Sequence, residues 1–315
     1  MQYRQLGRTG ITVSRMCFGT LTVGPLQGNL PLEEGSTVLA AGIQGGVNFC
    51  DTAQLYETYP YIRRAMEMTG KYDLVISSKT YAYTRELAVT AVEEARKALN
   101  RDYVDIFMLH EQESALTLRG HREALDYLLE CKSKGILRAV GASMHHIAAV
   151  EGATALGLDV IHPLLNCTGL GIVDGSRQQM EEAVSAAHNH GVGTFTMKPL
   201  GGGNLFKSAP ACLDYVLGLD YVDSVAIGMQ SVEEVEANLS YWQEGHFSPA
   251  QLRELEQKQR RLHIDDWCEG CGQCVKTCPQ DALSVMEGKA VCNYSACVLC
   301  SYCAGVCPVW AIKVV

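Results

Sequence analysis

The sequence has no excess of positive charge: 26 Lys and Arg stand against 35 Asp and Glu, for a net charge of -9 and a pI near 5.5. Without a basic stripe to neutralise a phosphate backbone, nucleic acid is excluded as the expected partner. The chain also lacks any run of about eighteen apolar residues, the least a membrane-crossing helix needs. Its opening, MQYRQLGRTG, is polar and glycine-bearing where a secretion signal is apolar. We therefore read a cytoplasmic chain with no membrane partner. A third absence concerns nucleotide binding. The first strand-like run, MCFGTLTVGP, carries no GxGxxG turn, so an open doubly wound sheet lacks its fingerprint. No flavin-binding motif is evident.

What the chain does have is cysteine, 14 in 315 residues, and the distribution is uneven. Cys17, Cys50, Cys131, Cys167 and Cys212 are scattered, whereas nine fall between Cys268 and Cys307. A reducing compartment disfavours disulfides, so the dense group points to metal or redox chemistry. A length of 315 residues suits one large domain and one small one. The expected division is a large domain over 1–245, a solvated linker helix over 246–265 and a small module over 266–315.

From residue 14 to about 242, short apolar runs alternate with amphipathic stretches. The strand candidates are SRMCFGT, VNFCDT, LVISSK, VDIFMLH, LRAVGAS, VIHPLLN, GTFTMKP and SVAIGM; stretches such as TRELAVTAVEEARKALN and SRQQMEEAVSAAHNHG follow them with apolar residues at helical spacing. Eight strand and helix pairs predict an α/β fold, a (β/α)8 TIM barrel closed by a parallel sheet. Polar residues end six of the strands: Asp51, Lys79, His110, Ser143, Asn166 and Lys198. In a barrel these ends converge on the C-terminal face, where active sites are built.

DTAQLY, ISSK and FMLH supply Asp51, Tyr56, Lys79 and His110 in order. With LGRTGITVSRMCFGT and MKPLGGG, these motifs make residues 1 to 242 resemble the aldo-keto reductase family. The resemblance implies an oxidoreductase that interconverts a small-molecule carbonyl and an alcohol, using NAD or NADP. Tyr56 would be the acid/base, with Lys79, Asp51 and His110 in support. A phenol of pKa near 10 holds its proton tightly, and an ammonium from Lys79, aimed by Asp51, is expected to lower it. By the same resemblance, Gly19, Thr20, Ser143, Asn166, Lys198, Leu200, Gly201, Gly203, Glu234 and Asn238 fall at cofactor positions. Ser143 and Asn166 would hold the carboxamide, and Gly201 and Gly203 would lie near the pyrophosphate. The chain departs from the family at Glu57, Met144, His162 and Glu234. A carboxylate at Glu234, where an Arg would meet a 2′-phosphate, favours NAD.

CEGCGQCVKTCP and CVLCSYCAGVCP are two copies of CxxCxxCxxxCP. They resemble a bacterial two-cluster ferredoxin over residues 266 to 315, a small α+β module with two 4Fe-4S clusters. In that arrangement the fourth Cys of each run reaches the other cluster. One cluster would use Cys268, Cys271, Cys274 and Cys307; the other would use Cys297, Cys300, Cys303 and Cys278. A zinc ribbon needs only paired CxxC units and no regular third Cys or trailing Pro. Cys292 stands outside both motifs, and ALSVMEGKAVC reads as a hairpin. A ferredoxin-like electron donor or acceptor is the implied partner. The alternative function is an electron carrier or redox sensor whose barrel is a binding platform without nicotinamide turnover.

Overall fold

The computed structural model describes the backbone of residues 1–315 and every side chain except that of Glu256. The hairpin β1 (Tyr3–Gln5) and β2 (Thr12–Ser14) precedes eight barrel strands. These are β3 (Met16–Gly19), β4 (Phe49–Asp51), β5 (Val75–Thr80), β6 (Val104–Gln112), β7 (Leu137–Met144), β8 (Val160–Pro163), β9 (Gly193–Met197) and β10 (Ser224–Gly228). All neighbouring pairs are parallel, and β10 pairs with β3 to close the ring. The helices around it are α1 (Leu32–Gln44), α2 (Tyr59–Thr69), α3 (Arg85–Leu99), α4 (Ala115–Gly120), α5 (Arg122–Ser133), α6 (Ile147–Ala155), α7 (Arg177–Asn189), α8 (Ala209–Leu217) and α9 (Val232–Glu244).

Strand periodicity positions the site. Alternate side chains point inward, so Phe49 and Asp51 share the inner face of β4, as do Val75, Ser77 and Lys79 on β5 and Ile106, Met108 and His110 on β6. The lower apolar members, with Cys17, Ala139, Val160, Phe195 and Ala226, fill the barrel floor; Leu6, Ile11 and Val13 from the N-terminal hairpin plug it. The outward set, including Cys50, Ile76, Phe107, Val140 and Ile161, packs against the helices. Helix α3 shows the local logic. Thr84 caps it by accepting from Leu87 N, Ala88, Ala91, Val92, Ala95 and Leu99 make its buried stripe, and Asn100 ends it in the left-handed region.

The expected linker helix over 246–265 is helical only in α10 (Pro249–Gln257), where Ser248 and Gln251 form a capping box. Leu262–Ile264 is a strand, β11, that pairs antiparallel with β14 (Ile312–Val314) and so belongs to the small module. That module also holds α11 (Gln273–Thr277), α12 (Tyr302–Gly305) and the expected hairpin of β12 (Leu283–Met286) and β13 (Lys289–Cys292). Glu287 and Gly288 both have positive φ, as the tight turn requires. The module's core has eight buried residues, Leu262, Cys274, Leu283, Ala290, Cys303, Ala304, Ile312 and Val314. So small a core ordinarily needs bound metal to persist.

Two tertiary findings were not expected. Cys167 and Cys212, counted above as isolated, are joined as a disulfide between the loop after β8 and α8, because both lie on the same end of the barrel. The small module is laid directly on the barrel mouth. Val314 N donates to Gly202 O at 3.0 Å, Asn204 Nδ2 to Ile312 O at 3.2 Å and Ser301 Oγ to Asn204 O at 3.1 Å. The approach requires glycine: at Gly203, with φ of +82°, a Cβ would stand 1.9 Å from Val314 O. Gly203→Ala is therefore expected to cost well over the ~1 kcal/mol of an ordinary positive-φ glycine. Gly245→Ala, at φ of +76° with nothing within 4 Å of a new Cβ, is the reference. Thermal unfolding of the two variants should show the larger loss at Gly203, and equal losses would contradict the docking.

Candidate active site

On the C-terminal face of the barrel, Lys79 and Asp51 are both buried and paired. Lys79 Nζ donates to Asp51 Oδ2 at 2.8 Å and to Thr52 O at 2.7 Å. Burial would raise the Asp51 carboxyl, but Lys79 and His162 outweigh it and hold it well below the usual carboxylate range. His162 lies on the same carboxylate, Nε2 at 3.5 Å from Oδ2, with Nδ1 at 2.8 Å from Phe195 O. Tyr56 reaches in from the 3-10 turn Gln54–Tyr56 after β4, its hydroxyl 3.3 Å from His110 Nε2. Lys79 Nζ sits 4.8 Å from the centre of the Tyr56 ring.

The expected lowering of the Tyr56 phenol by Lys79 is not what this arrangement produces. Burial, then the charges of Asp51 and Glu111, push the phenol well above its ordinary value. The physical reason is that the ammonium is spent on Asp51 and Thr52. His110 is held well below its ordinary value by burial and then by Lys79, so it is a neutral imidazole at physiological pH. Tyr81, which follows Lys79 by two residues, stacks on His110 with ring centres 4.4 Å apart, and its hydroxyl donates to Glu111.

A groove of about 1100 Å³, open mouth included, runs from this cluster along the barrel rim. Of the residues expected to meet a cofactor, Gly19, Thr20, Lys198, Leu200, Gly203 and Glu234 line it. Ser143, Asn166, Gly201 and Asn238 stand back. Ser143 Oγ accepts from Glu111 N at 2.9 Å. Asn166 spends both ends of its amide in its own loop, Nδ2 on Leu170 O and Oδ1 on Thr168 and Leu170 N–H groups. Asn238 Nδ2 donates to Glu234 O within α9. Glu234, read above as an acceptor for a ribose hydroxyl, has both oxygens engaged: Lys258 Nζ lies 2.6 Å from Oε1, and Gln230 N donates to Oε2 at 2.8 Å.

The module supplies the groove's other wall through Lys313 and Val314, with Lys258 and Arg260 from the segment before β11. Lys198 and Lys313 flank one indole, 5.6 Å and 4.8 Å from the centre of Trp310. Lys198 also donates to His145 Nε2 at 2.8 Å. Burial and the neighbouring Lys313 bring Lys198 down to about 7; burial, against the pull of Asp265, brings Lys313 down to about 8. A strand-end position would have flagged Tyr81, Glu111 and His145. Nothing in the sequence flags Trp310, Lys313, Lys258 or Arg260.

The clustered thiols are brought together in crossed sets. Burial raises the Cys274 thiol, and its charged neighbours are Cys268, Cys307 and Cys271. Cys303 is pushed up to about 12 by burial and then by Cys300, with Cys274 and Cys297 nearby. Cys278 and Cys297 both face Cys292. Backbone N–H groups of Ala290, Ala282 and Ala311 donate to the sulfurs of Cys268, Cys278 and Cys307, support that a thiolate uses. Among the described residues, no group of three or more His, Cys, Asp or Glu is placed to hold a single metal ion.

Residues 15–210 match the family model described as the aldo/keto reductase family, and residues 267–311 match the 4Fe-4S dicluster domain. The chain belongs to the aldo/keto reductase family. It carries an iron-sulfur ferredoxin domain after the barrel, and it is an oxidoreductase by family. Among curated relatives, a probable voltage-gated potassium channel subunit beta of Arabidopsis thaliana is 28% identical over 228 residues, covering 65% of this chain and 66% of that protein. L-galactose dehydrogenase of the same plant is 23% identical, covering 76% and 88%. Aldo-keto reductase AKR11C1 from Bacillus halodurans, in its holo form, shares the fold with a TM-score of 0.65 at 20% identity, over 82% of this chain and 95% of that one. No helix among the described residues is long and apolar enough to cross a membrane.

The buried Asp51–Lys79 pair has a measurable consequence. Because the carboxyl is depressed in the folded state, its stabilisation is full above its unfolded value of ~3.9 and is lost as pH falls toward the native value. Asp51→Asn leaves an uncompensated buried ammonium, with an expected cost of about 3 kcal/mol at neutral pH. Urea titrations at about pH 7 and about pH 3 should show that gap at the first and a narrower one at the second.

Proposed function

We propose that the chain reduces a small-molecule carbonyl to an alcohol at the barrel mouth. The observation that carries this is the convergence of the Tyr56 hydroxyl and His110 Nε2, 3.3 Å apart, above a buried Lys79–Asp51 pair. A nicotinamide dinucleotide lying in the groove against Gly19, Thr20, Lys198, Leu200 and Gly203 would supply the hydride. The fit is supported by the glycines of the rim. Gly19, Gly202, Gly203 and Gly228 all line the groove, where the absence of side chains lets a ligand approach the backbone.

Hydride addition leaves an alkoxide, which needs a proton as it forms. Tyr56 rests as a neutral phenol and donates that proton. His110, neutral for want of water, hydrogen-bonds the carbonyl oxygen and fixes its direction. Lys79, neutralised by Asp51 and held by Thr52 O, packs 4.8 Å from the centre of the Tyr56 ring and fixes its position. Burial keeps the phenol protonated, which is the form that donates in the reductive direction.

In the small module, Cys268, Cys271, Cys274 and Cys307 would hold one 4Fe-4S cluster, and Cys297, Cys300, Cys303 and Cys278 the other. Such clusters carry single electrons, exchanged here with a ferredoxin-like partner. A second reading, an electron carrier with a barrel that binds without turnover, is favoured by one observation. The Asn166 amide is used up in its own loop and is not offered to a carboxamide.

Tyr56→Phe separates the two. With anaerobically purified protein, aldehyde reduction by NADPH or NADH should fall ~100-fold or more, while reduction of the clusters by dithionite stays unchanged. Carbonyl turnover that survives the substitution would overturn the reductase reading, and absence of turnover in both proteins would favour the carrier.

A further inference from the structure

The groove that starts at Tyr56 ends between Gln230 and Glu234 of the barrel and the segment at Lys258 and Arg260. That segment lies outside both matched regions, 15–210 and 267–311. It is pinned by the module: Arg261 and Val315 exchange backbone hydrogen bonds at 2.8 and 3.0 Å, and Leu262 pairs with Val314. Two cations and one anion therefore meet at this end of the groove, for a formal charge of plus one from Lys258, Arg260 and Glu234.

The three side chains are not equivalent. Lys258 and Glu234 satisfy each other at 2.6 Å, and Gln230 N takes the second carboxylate oxygen, so neither charge is left for a ligand. Arg260 is different. Its Nη1 donates to Leu255 O at 2.6 Å, with Lys258 O at 3.5 Å, and its guanidinium carbon lies 4.7 Å from the centre of the Phe206 ring. Among the described residues, Nε and Nη2 have no hydrogen-bond partner. An arginine set against an aromatic ring, with two donors open among the described residues, is suited to a phosphate, which it grips through parallel N–H bonds. A neutral ribose diol has no use for the extra charge.

We propose that Arg260 forms a phosphomonoester site at the far end of the groove. Lys258 cancels Glu234, and the site selects the 2′-phosphorylated dinucleotide, NADP(H), over NAD(H). This rests on the nicotinamide reading above and reverses the preference that Glu234 suggests from sequence. It also makes nucleotide choice a property of the junction: the selecting residue comes from neither domain but from the strand-forming segment that the iron-sulfur module holds in place.

The test is binding, measured by tryptophan fluorescence or calorimetry on anaerobic full-length protein with NADP⁺ and NAD⁺. The wild type should bind NADP⁺ at least tenfold more tightly. Arg260→Gln should remove most of that preference by weakening NADP⁺ alone, and Arg260→Lys should restore part of it. Glu234→Gln, which frees Lys258, should strengthen NADP⁺ binding severalfold. Retained cluster absorbance in each variant shows that the module is folded. Equal affinity of the wild type for the two nucleotides, or parallel loss of both in Arg260→Gln, would overturn the site while leaving the nicotinamide reading intact. Failure of both nucleotides to bind the wild type would overturn the two together.

Discussion

Two successive glycines with positive φ, Gly202 and Gly203, let β14 come down onto the barrel rim. Everything distinctive about the molecule depends on that approach. With β14 in place, Lys313 runs under cover across Gly202, Trp310 presses against Gly171, and Phe206 of the barrel loop joins the core of the small module. The groove beside Tyr56 is thereby walled by both halves of the chain. An aldo/keto reductase barrel and an iron-sulfur module joined only by a flexible linker would share a sequence but no site; here they share a pocket.

The electrostatics of that pocket follow from burial. Asp51 and Lys79 neutralise each other, as do Glu234 and Lys258, so their role is positional. Lys198, Lys313 and Arg260 remain, facing two carboxylates, Asp265, which lies 3.4 Å from Lys313 Nζ, and Glu111. A half-enclosed groove with surplus cations draws in anionic ligands, and Lys198, brought to about 7, is charged below neutral pH and only partly charged at it. The end at Tyr56 and His110 is less charged: both side chains are held neutral by the same removal from water.

Much of this was legible in the sequence, for reasons that are local. Strand-end position put Asp51, Lys79 and His110 on the C-terminal face of the barrel, and the repeated CxxCxxCxxxCP spacing marked the 4Fe-4S dicluster domain at 267–311. What was not legible is what depends on docking. Lys313 looks like an ordinary polar residue in a short terminal strand, and Arg260 like a member of a charged helix; only the paired strand at Leu262–Ile264 moves it to the groove. Glu234 was read as if alone, because nothing in sequence places Lys258 beside it. Asn166 sits where expected but is turned into its loop, a choice made by Thr168 and Leu170 rather than by its strand. Cys167 and Cys212, 45 residues apart, meet only once the barrel closes.

The central claim is that the iron-sulfur module completes the nucleotide groove. It is tested most directly by comparing nucleotide affinity in anaerobic full-length protein before and after the iron is removed by chelation. Loosening the module should release β14 and the Arg260 segment from the rim and weaken NADP⁺ binding by an order of magnitude or more, while barrel helicity is retained. Unchanged affinity in the iron-free protein would mean that the barrel binds nucleotide unaided, and the shared pocket would be an accident of packing.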